Sequence, residues 1–334
     1  MSSPPLRLGL CGVGHLGKIH AKCLAGLDGE VEVVGVYDVD TASAKTVGEQ
    51  HAWRSFASFE ELLRSCDAVD IVTPTTTHHV LAKAALEAGK HVFIEKPVTT
   101  TVAEAEELER LAAAHDRVVQ VGHVERFNPA LLAIEGTSLD PAFIEVHRLA
   151  QFNPRSTDVS VVLDLMIHDL DIVLSMVPAE VEHISASGVG VVGDSVDIAN
   201  ARLDFANGAT ANLTASRISL KNMRKLRLFQ RDAYIGVDML DKKTEVVKLS
   251  DHDPEHPGPF QLPTEAGLRE VVVDYPTVKP INAILEELRE FARAIREGSA
   301  VTVGLREART ALSVAYEIIG DMERRREKLN THLA

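Results

Sequence analysis

The chain has 334 residues, of which 45% are hydrophobic, and its 35 basic and 49 acidic residues give a formal net charge of -14. A chain of this length and composition can form two domains with hydrophobic cores, which excludes a fibrous or largely disordered protein. Its negative charge disfavours nucleic acid and anionic membranes as partners and favours a small-molecule substrate.

Residues 1–123 alternate short apolar runs with helical patterns. Strands are predicted at 6–11, 31–37, 69–73, 91–94 and 118–121, with helices between them that include 80–88 and 102–114. Ser58-x-x-Glu61 and Thr101-x-x-Glu104 have the capping-box pattern of helix starts. This alternation predicts βαβ units and therefore a doubly wound parallel sheet, a Rossmann domain, in residues 1–123.

From residue 124 the pattern changes to successive strands with few helices between them. Strands are predicted at 142–149, 183–192, 197–205, 209–217, 225–230 and 245–249, with one apolar helix at 159–174. Residues 251–267 hold four prolines and predict a long surface loop, and two helices follow, from about 280 and over 305–328. Residues 124–334 thus predict an α+β domain with a large, mainly antiparallel open sheet, whose last helices can pack back on the first domain.

The motif GVGHLG, residues 12–17, follows the first strand directly. Glycines in this spacing permit a tight turn and bring the backbone amides of the next helix close to a pyrophosphate. Asp38 closes the second strand about 20 residues further on, where a carboxylate binds the ribose hydroxyls of NAD and repels the 2′-phosphate of NADP. The motif in this context predicts an NAD site rather than a purely structural turn. The residues of this predicted site are Gly12, Gly14, His15, Leu16, Gly17 and Asp38.

Two more segments follow predicted strands where a doubly wound sheet binds its ligands, at the carboxyl ends. TPTTTHH, residues 73–79, follows the third strand, and EKP, residues 95–97, ends the fourth. Lys96 is expected to point at the nicotinamide region, although it can also simply end the strand and pair with Glu95. A zinc pair at the two adjacent histidines is disfavoured, because neighbours in the chain cannot easily face one site. The residues assigned to the cofactor here are Thr73, Pro74, His78, Glu95 and Lys96.

The predicted helix VSVVLDLMIHDLDIVL, residues 159–174, is apolar enough for a core, yet it contains three aspartates and a histidine. In an α-helix, Asp164, His168 and Asp171 form one polar stripe, because side chains four and seven positions apart share a face. Burying charge is costly, so the stripe needs partners, a metal or a cavity. A divalent metal is the less favoured explanation, because no C-x-x-C or H-E-x-x-H motif accompanies these residues.

Three of these features together resemble the glucose-fructose oxidoreductase, inositol dehydrogenase and rhizopine catabolism (Gfo/Idh/MocA) family. They are the strand followed by G-x-G-x-x-G, the E-K-P triplet after the fourth strand, and D-x-x-x-H on an apolar helix. The resemblance spans almost the whole chain. It implies an NAD-dependent dehydrogenase that acts on the CH-OH group of a sugar, with a second domain that binds substrate and forms a homodimer or homotetramer through its open sheet.

The resemblance also implies roles for three residues around the hydroxyl-bearing carbon. His168 is the general base that takes the alcohol proton, and Asp164 orients its imidazole. Lys96 stabilises the developing alkoxide, or serves as the base itself if burial lowers its pKa. Asp169 and Asp171 are expected to cap, to pair or to face water.

A narrower resemblance rests on VGHVERFNP, residues 121–129, and HRLAQFNPR, residues 147–155. These segments resemble the branch of the family that oxidises the 3-hydroxyl of UDP-N-acetylglucosamine, which implies a nucleotide-sugar substrate and a partner aminotransferase in lipopolysaccharide biosynthesis. The alternatives are another sugar or polyol of the same family, or a non-catalytic NAD-binding regulator. The residues that the resemblance assigns to the substrate are Lys96, Arg126, Asn128, Arg155 and His168.

Residues 217–231 contain six basic residues and no acidic one, in an otherwise acidic chain. Strand alternation places Lys225, Arg227 and Arg231 on one face. A solvated or intersubunit face is the favoured interpretation, and a diphosphate site is the alternative.

Cysteine usage and the first residues bear on the compartment. Cys11, Cys23 and Cys66 are odd in number and form no C-x-x-C pair, which is typical of reduced thiols. The beginning MSSPPLRLGLCGVG has no basic segment and no long apolar run. We therefore expect a cytoplasmic protein that does not enter a membrane.

Overall fold

The computed structural model describes residues 4–152, 159–192, 195–251, 255, 260–264 and 267–333. The chain divides into two compact units, the first formed by Met1–Phe127 with Asn282–Ser313 and the second by Asn128–Ile281 with Val314–Ala334. None of the helices in the described part of the chain combines the length and the hydropathy of a membrane-spanning segment.

The first unit contains a six-stranded parallel sheet in the order β3-β2-β1-β4-β5-β6. This is the strand order of a doubly wound dinucleotide-binding domain. Its strands are β1 (Leu6–Cys11), β2 (Val31–Tyr37), β3 (Arg54–Ser55), β4 (Ala68–Ile71), β5 (His91–Glu95) and β6 (Val119–Gly122). Its helices are α1 (His15–Leu24), α2 (Thr41–His51), α3 (Phe59–Ser65), α4 (Thr75–Glu87), α5 (Val102–His115) and α8 (Ala283–Glu297), and a 3₁₀ helix covers Val124–Phe127.

Helix α8 joins the core of the first unit although it lies far along the chain. Its side chains Leu288 and Phe291 are buried in the same cluster as Leu8 and Phe93 of the sheet. Local signals set its ends: the Asn282 side chain accepts hydrogen bonds from the amides of the first turn, and Gly298 ends the helix at a φ of 68°. The helix predicted to begin near residue 280 is therefore present, and its apolar side chains pack in this core.

The second unit contains a nine-stranded sheet in the order β14-β15-β13-β12-β11-β7-β10-β9-β8. Every neighbouring pair is antiparallel except β7 with β10. Its strands are β7 (Phe143–Leu149), β8 (Val181–Val189), β9 (Ile198–Phe205), β10 (Thr210–Ser216), β11 (Met223–Gln230), β12 (Ala233–Asp238), β13 (Lys243–Asp251), β14 (Gln261–Thr264) and β15 (Gly267–Asp274).

Helices cover one face of this sheet in a single hydrophobic core. The strands alternate buried and less buried residues, and Val146 of β7 and Leu213 of β10 pack in one cluster with Leu170 and Ile318 of the helices. The helical segments are α6 (Pro129–Leu132), a π-helical segment (Val162–Met166), α7 (Ile167–Met176) and α9 (Leu305–Leu333), of which α9 begins in residues of the first unit. The predicted fold class, a Rossmann sheet followed by a large mainly antiparallel sheet, is confirmed.

The predicted surface loop at 251–267 is wrong in part. Strand β14 covers Gln261–Thr264 and pairs with β15, whereas residues 252–254, 256–259 and 265–266 lie outside the described residues. The difference arises at Pro263, because a proline usually indicates that a segment is not a strand. Strand β14 lies at the edge of the sheet, where a missing amide donor is tolerated.

Candidate active site

The glycine-rich turn links β1 to α1 and packs backbone against backbone. Gly12 has a φ of 95°, and a Cβ there would lie 2.4 Å from the carbonyl oxygen of Val72. A Cβ at Gly17 would lie 2.1 Å from the carbonyl oxygen of Gly12, whereas one at Gly14 would meet nothing within 4 Å. Two of the predicted glycines are thus required by close packing, and the third leaves open space above the start of the helix.

The beginning of α1 fits a phosphate-binding site. Gly14 is the N-cap and supplies no side-chain acceptor, so the first amides of the helix are not capped by it. His15 and Leu16 are exposed in the first turn. Uncapped amides beside open space at a helix N-terminus are the arrangement that binds the pyrophosphate of a dinucleotide.

Asp38 lies just after β2 and is tied to the same turn. Its Oδ2 accepts a hydrogen bond from the backbone N–H of Val13 at 2.7 Å, and its Oδ1 accepts one from the N–H of Asp40 at 2.9 Å. Each carboxylate oxygen can accept a further hydrogen bond, so the side chain can also accept hydrogen bonds from the ribose hydroxyls of NAD. The carboxylate of Asp40 instead caps α2 through Ser43 and Ala42.

The segment after β4 divides between surface and interior. Thr73 is half-buried and Pro74 exposed, and the Thr77 hydroxyl donates to Thr73 Oγ1 at 2.7 Å. His78 is buried, with its ring nitrogens 2.9 and 3.0 Å from the carbonyl oxygens of Thr73 and Pro97. Burial lowers the pKa of His78. His79 faces elsewhere and pairs with Glu107 at 2.9 Å, so the two histidines do not face one site.

Glu95 and Lys96 stand at the carboxyl end of β5, but their side chains differ in surroundings. The Glu95 carboxylate is buried next to His20, with Glu95 Oε1 3.2 Å from His20 Nε2. Lys96 is half-buried, and its backbone N–H donates to Glu95 Oε2 at 3.2 Å. Glu95 therefore belongs to the interior of the first unit, and the catalytic role of Lys96 stays a prediction.

In the second unit, Asp164 and His168 lie on either side of a change in helix type. Ile167 N–H donates to the carbonyl of Val162, which is the i to i+5 bond of a π-helix, and α7 continues from there. Asp164 and His168 are both half-buried. Inserted π turns occur frequently at functional sites, so this irregularity agrees with a site at these two residues.

The other two aspartates of this segment have structural positions. Asp169 is 2% exposed, and both of its carboxylate oxygens accept hydrogen bonds from the Arg148 guanidinium, at 2.7 to 3.0 Å. Asp171 is 3% exposed, so it does not share the half-buried environment of Asp164 and His168. Neither aspartate faces water. The pairing with Arg148 was not predicted from the sequence, although an arginine within an alternating strand is a signal that a buried carboxylate partner is needed.

The residues assigned to the substrate are distributed over both units. Arg126 is half-buried in the 3₁₀ helix of the first unit. Asn128 is buried in the second unit, where its Nδ2 donates to the carbonyl of Met239 and its Oδ1 caps α6 at Ala130. Arg155 lies outside the described residues. Binding of the sugar by these three residues stays a prediction.

The basic strand β11 carries carboxylate partners. Lys225 lies 3.4 Å from Asp238, and Arg227 lies 2.7 Å from Glu145 of β7. Paired cations at a half-exposed sheet face agree with the favoured interpretation of this segment rather than with a diphosphate site.

Two family models match the chain and together cover most of it. One, described as an oxidoreductase family with an NAD-binding Rossmann fold, matches residues 6–123, and the GFO/IDH/MocA C-terminal domain matches residues 131–233. The chain belongs to the Gfo/Idh/MocA family. As a Gfo/Idh/MocA protein it is an oxidoreductase that uses NAD, in agreement with the glycine turn and Asp38, and the predicted family and cofactor are confirmed.

Similar Gfo/Idh/MocA proteins include sugar and polyol dehydrogenases. The UDP-N-acetylglucosamine 3-dehydrogenase of Acidithiobacillus ferrooxidans is 36% identical over 94% of this chain and 96% of its own length. A solved structure of that enzyme matches 96% of this chain and 98% of its own at a TM-score of 0.86. A myo-inositol 2-dehydrogenase of Thermotoga maritima is 24% identical over 96% of this chain and 97% of its own length.

Proposed function

We propose that this protein oxidises the 3-hydroxyl of UDP-N-acetylglucosamine to the 3-keto sugar with NAD. The observation that carries the proposal is the 36% identity to a UDP-N-acetylglucosamine 3-dehydrogenase along 94% of the chain. The fit of the glycine turn and Asp38 to a dinucleotide supports the cofactor half of the reaction.

The reaction removes a hydride and a proton from one carbinol. Bound NAD supplies the acceptor for the hydride that leaves the carbon. In our proposal His168 accepts the hydroxyl proton on its imidazole, and Asp164 orients that ring. The ammonium of Lys96 stabilises the alkoxide that develops as the proton leaves. Loss of both hydrogens converts the carbinol into a ketone.

The nucleotide half of the substrate needs local positive charge, because the chain as a whole carries a net charge of -14. We assign Arg126 and Arg155 to the diphosphate, since a guanidinium binds phosphate oxygens in pairs. Asn128 completes this set in the family resemblance, and its buried amide holds the start of α6 as well.

The 3-keto sugar points to the next reaction. A ketone beside an N-acetylated carbon is a substrate for transamination, which would convert it into a 3-amino sugar. We therefore propose that an aminotransferase consumes the product for lipopolysaccharide biosynthesis in the cytoplasm. A homodimer or homotetramer, formed through the sheet of the second unit, is part of the same proposal.

A polyol is the second candidate substrate. It is favoured by the myo-inositol 2-dehydrogenase that matches 96% of this chain, although at the lower identity of 24%. A non-catalytic NAD-binding regulator is disfavoured, because it has no need for Lys96 and His168.

The test is a comparison of substrates with the purified protein. NAD reduction is measured with UDP-N-acetylglucosamine, UDP-glucose, free N-acetylglucosamine and myo-inositol, with an aminotransferase and glutamate added to trap the ketone. Of the four substrates, we expect only UDP-N-acetylglucosamine to give a UDP-linked diamino sugar, which is detected by mass spectrometry. Rapid NAD reduction by inositol, with no new nucleotide sugar, would contradict the proposed substrate and leave the oxidoreductase assignment in place.

A further inference from the structure

Four polar side chains meet in the interior of the first unit. His20 of α1 lies between two carboxylates, with its Nδ1 2.9 Å from Asp70 Oδ2 and its Nε2 3.2 Å from Glu95 Oε1. Glu287 of α8 brings a third carboxyl group, with an oxygen within 4.8 Å of both His20 and Glu95 ligand atoms. His20, Asp70 and Glu287 are 0% exposed, and Glu95 is 7% exposed. We call these four residues the buried cluster.

The buried cluster cannot be fully ionised. Three carboxylates and one imidazolium would leave two uncompensated negative charges in the interior, at a large desolvation cost. Asp70 and Glu95 both face His20, whereas neither oxygen of Glu287 has a hydrogen-bond partner among the described residues. Glu287 is therefore the group that is least able to carry charge.

The pKa directions agree with this assignment. Burial lowers the pKa of His20, but the charge and hydrogen bonds of Asp70 and Glu95 outweigh burial and place that pKa well above its usual value. Burial first, and then the charge of Glu95, raise the pKa of Glu287 well above its usual value. Geometry and pKa direction thus agree that His20 holds its proton more strongly than a free imidazole and that Glu287 ionises less readily than a free carboxyl group.

Glu95 connects the buried cluster to the main chain of Lys96. Its Oε2 accepts the Lys96 N–H at 3.2 Å while its Oε1 faces His20. Gly122 of β6 makes room for this carboxylate, because a Cβ there would lie 2.6 Å from Oε1. Glu95 therefore lies within ion-pair distance of His20 through one carboxylate oxygen, and its other oxygen accepts the hydrogen bond from the peptide N–H of Lys96.

We propose that the buried cluster positions Lys96 for hydride transfer, with Glu287 kept as the neutral acid that makes the cluster tolerable in the core. His20, Asp70, Glu95 and Glu287 are positioning residues, since they act through Lys96. The proposal rests on the proposed function, in which Lys96 stabilises the alkoxide. A divalent ion held by His20, Glu95 and Glu287 is the alternative, and it would require Glu287 to ionise.

Glu95→Gln tests the positioning role, because it keeps the size of the side chain and removes its charge. We expect kcat to fall by about tenfold or more, since small displacements of a catalytic group have effects of this size. The Kd for NAD and the KM for the sugar should stay within about threefold of the wild type, a split that general destabilisation does not produce. The control Glu107→Gln, at a surface carboxylate of the same unit, should not change kcat.

Glu287→Gln tests the protonation state through the melting temperature. Glu287 is faced by His20 and Cys23 of α1, Asp70 of β4, Glu95 of β5 and, on its own helix, Glu290. When a carboxyl group has a higher pKa in the folded state than in the unfolded state, the folded protein loses stability as the pH rises from the unfolded-state pKa towards the folded-state pKa. Glutamine has no proton to lose. The Tm gain of the variant over wild type should therefore be larger at pH 8 than at pH 5, by about 3 °C or more.

The control for this experiment is Glu286→Gln, on the same helix, whose carboxylate pairs with Arg289 at 2.6 Å. It should give no gain that grows with pH. A Glu287→Gln variant that is less stable than wild type at both pH values would overturn the proposal. The proposal would also be overturned if the wild type bound one equivalent of Zn²⁺ or Mn²⁺ tightly and the Glu287→Gln variant did not.

The outcomes separate this inference from the proposed function. If the wild type oxidises none of the sugars, the proposed function fails, and the melting experiment still decides the state of Glu287. If the wild type turns over and Glu95→Gln turns over equally fast, the positioning role fails while the proposed function stands.

Discussion

Single residues decide which cofactor the first unit accepts. Asp38 is tied to the glycine turn through the N–H of Val13, and we predict that its carboxylate binds the ribose of the dinucleotide. A fixed carboxylate can accept hydrogen bonds from the two ribose hydroxyls of NAD. The 2′-phosphate of NADP would instead be repelled, because both groups are negatively charged. We therefore expect the preference for NAD over NADP to depend on the Asp38 side chain and on the backbone that holds it.

We predict that NAD is used at least about tenfold more efficiently than NADP, a difference of about 1.4 kcal/mol. Asp38→Ala should lower kcat/KM with NAD and bring the ratio of the two cofactors close to one. The control Asp40→Asn should change the ratio less, because the Asp40 carboxylate is engaged in capping α2. Equal use of both cofactors by the wild type would show that Asp38 does not select between them.

The catalytic assignments also stand or fall on single residues. We predict that His168→Asn and Lys96→Ala each lower kcat by about a hundredfold, the usual scale for loss of a proton-transfer or electrostatic group. Folding, measured by circular dichroism, and NAD affinity should stay close to wild type. The surface variants His183→Asn and Lys45→Ala serve as controls and should keep full activity. If either variant turns over substrate at the wild-type rate, the role assigned to the replaced residue is wrong.

At the scale of elements, helix α7 is attached to the sheet of the second unit by charge as well as by apolar packing. Leu170 and Val173 are buried in the core, and next to them Asp169 forms its pair with Arg148 of β7. The side chains of this pair are 4% and 2% exposed, so removing either partner breaks a buried charge pair. The pair therefore fixes the helix that carries His168.

We predict that Asp169→Ala destabilises the protein by about 3 kcal/mol or more, because it removes one partner of a buried charge pair. Glu145→Ala is a matched control on the same strand, since it breaks a half-exposed pair with Arg227. That variant should cost less than about 1 kcal/mol. The free energy of unfolding is measured by urea titration. Similar losses for the two variants would mean that burial does not strengthen the Arg148 pair.

At the scale of the molecule, two units with separate cores divide the predicted site residues. The glycine turn, Asp38 and Lys96 belong to the first unit, whereas Asp164 and His168 belong to the second. That these residues act in one reaction stays a prediction from the family resemblance. The homo-oligomeric state stays a prediction from the family resemblance.

Much of the fold and the candidate cofactor turn are local features, which can be predicted from the sequence. The alternation of apolar runs predicted the parallel sheet, and β1 and β2 have the predicted bounds. The capping box at Thr101 and Glu104 forms with both hydrogen bonds. The glycine turn and Asp38 were predictable because the tight turn, the helix start and the strand end are encoded within about 30 consecutive residues.

The polar residues that meet in the interior are brought together by packing between distant parts of the chain. His20 and Glu287 come together because α8, from the far end of the chain, packs in the core of the first unit, and periodicity carries no information on such pairings. The Arg148–Asp169 pair likewise joins a strand and a helix that the sequence pattern places independently. Buried charge must be compensated by whatever the fold brings near it, so the partners of these residues follow from packing rather than from local sequence.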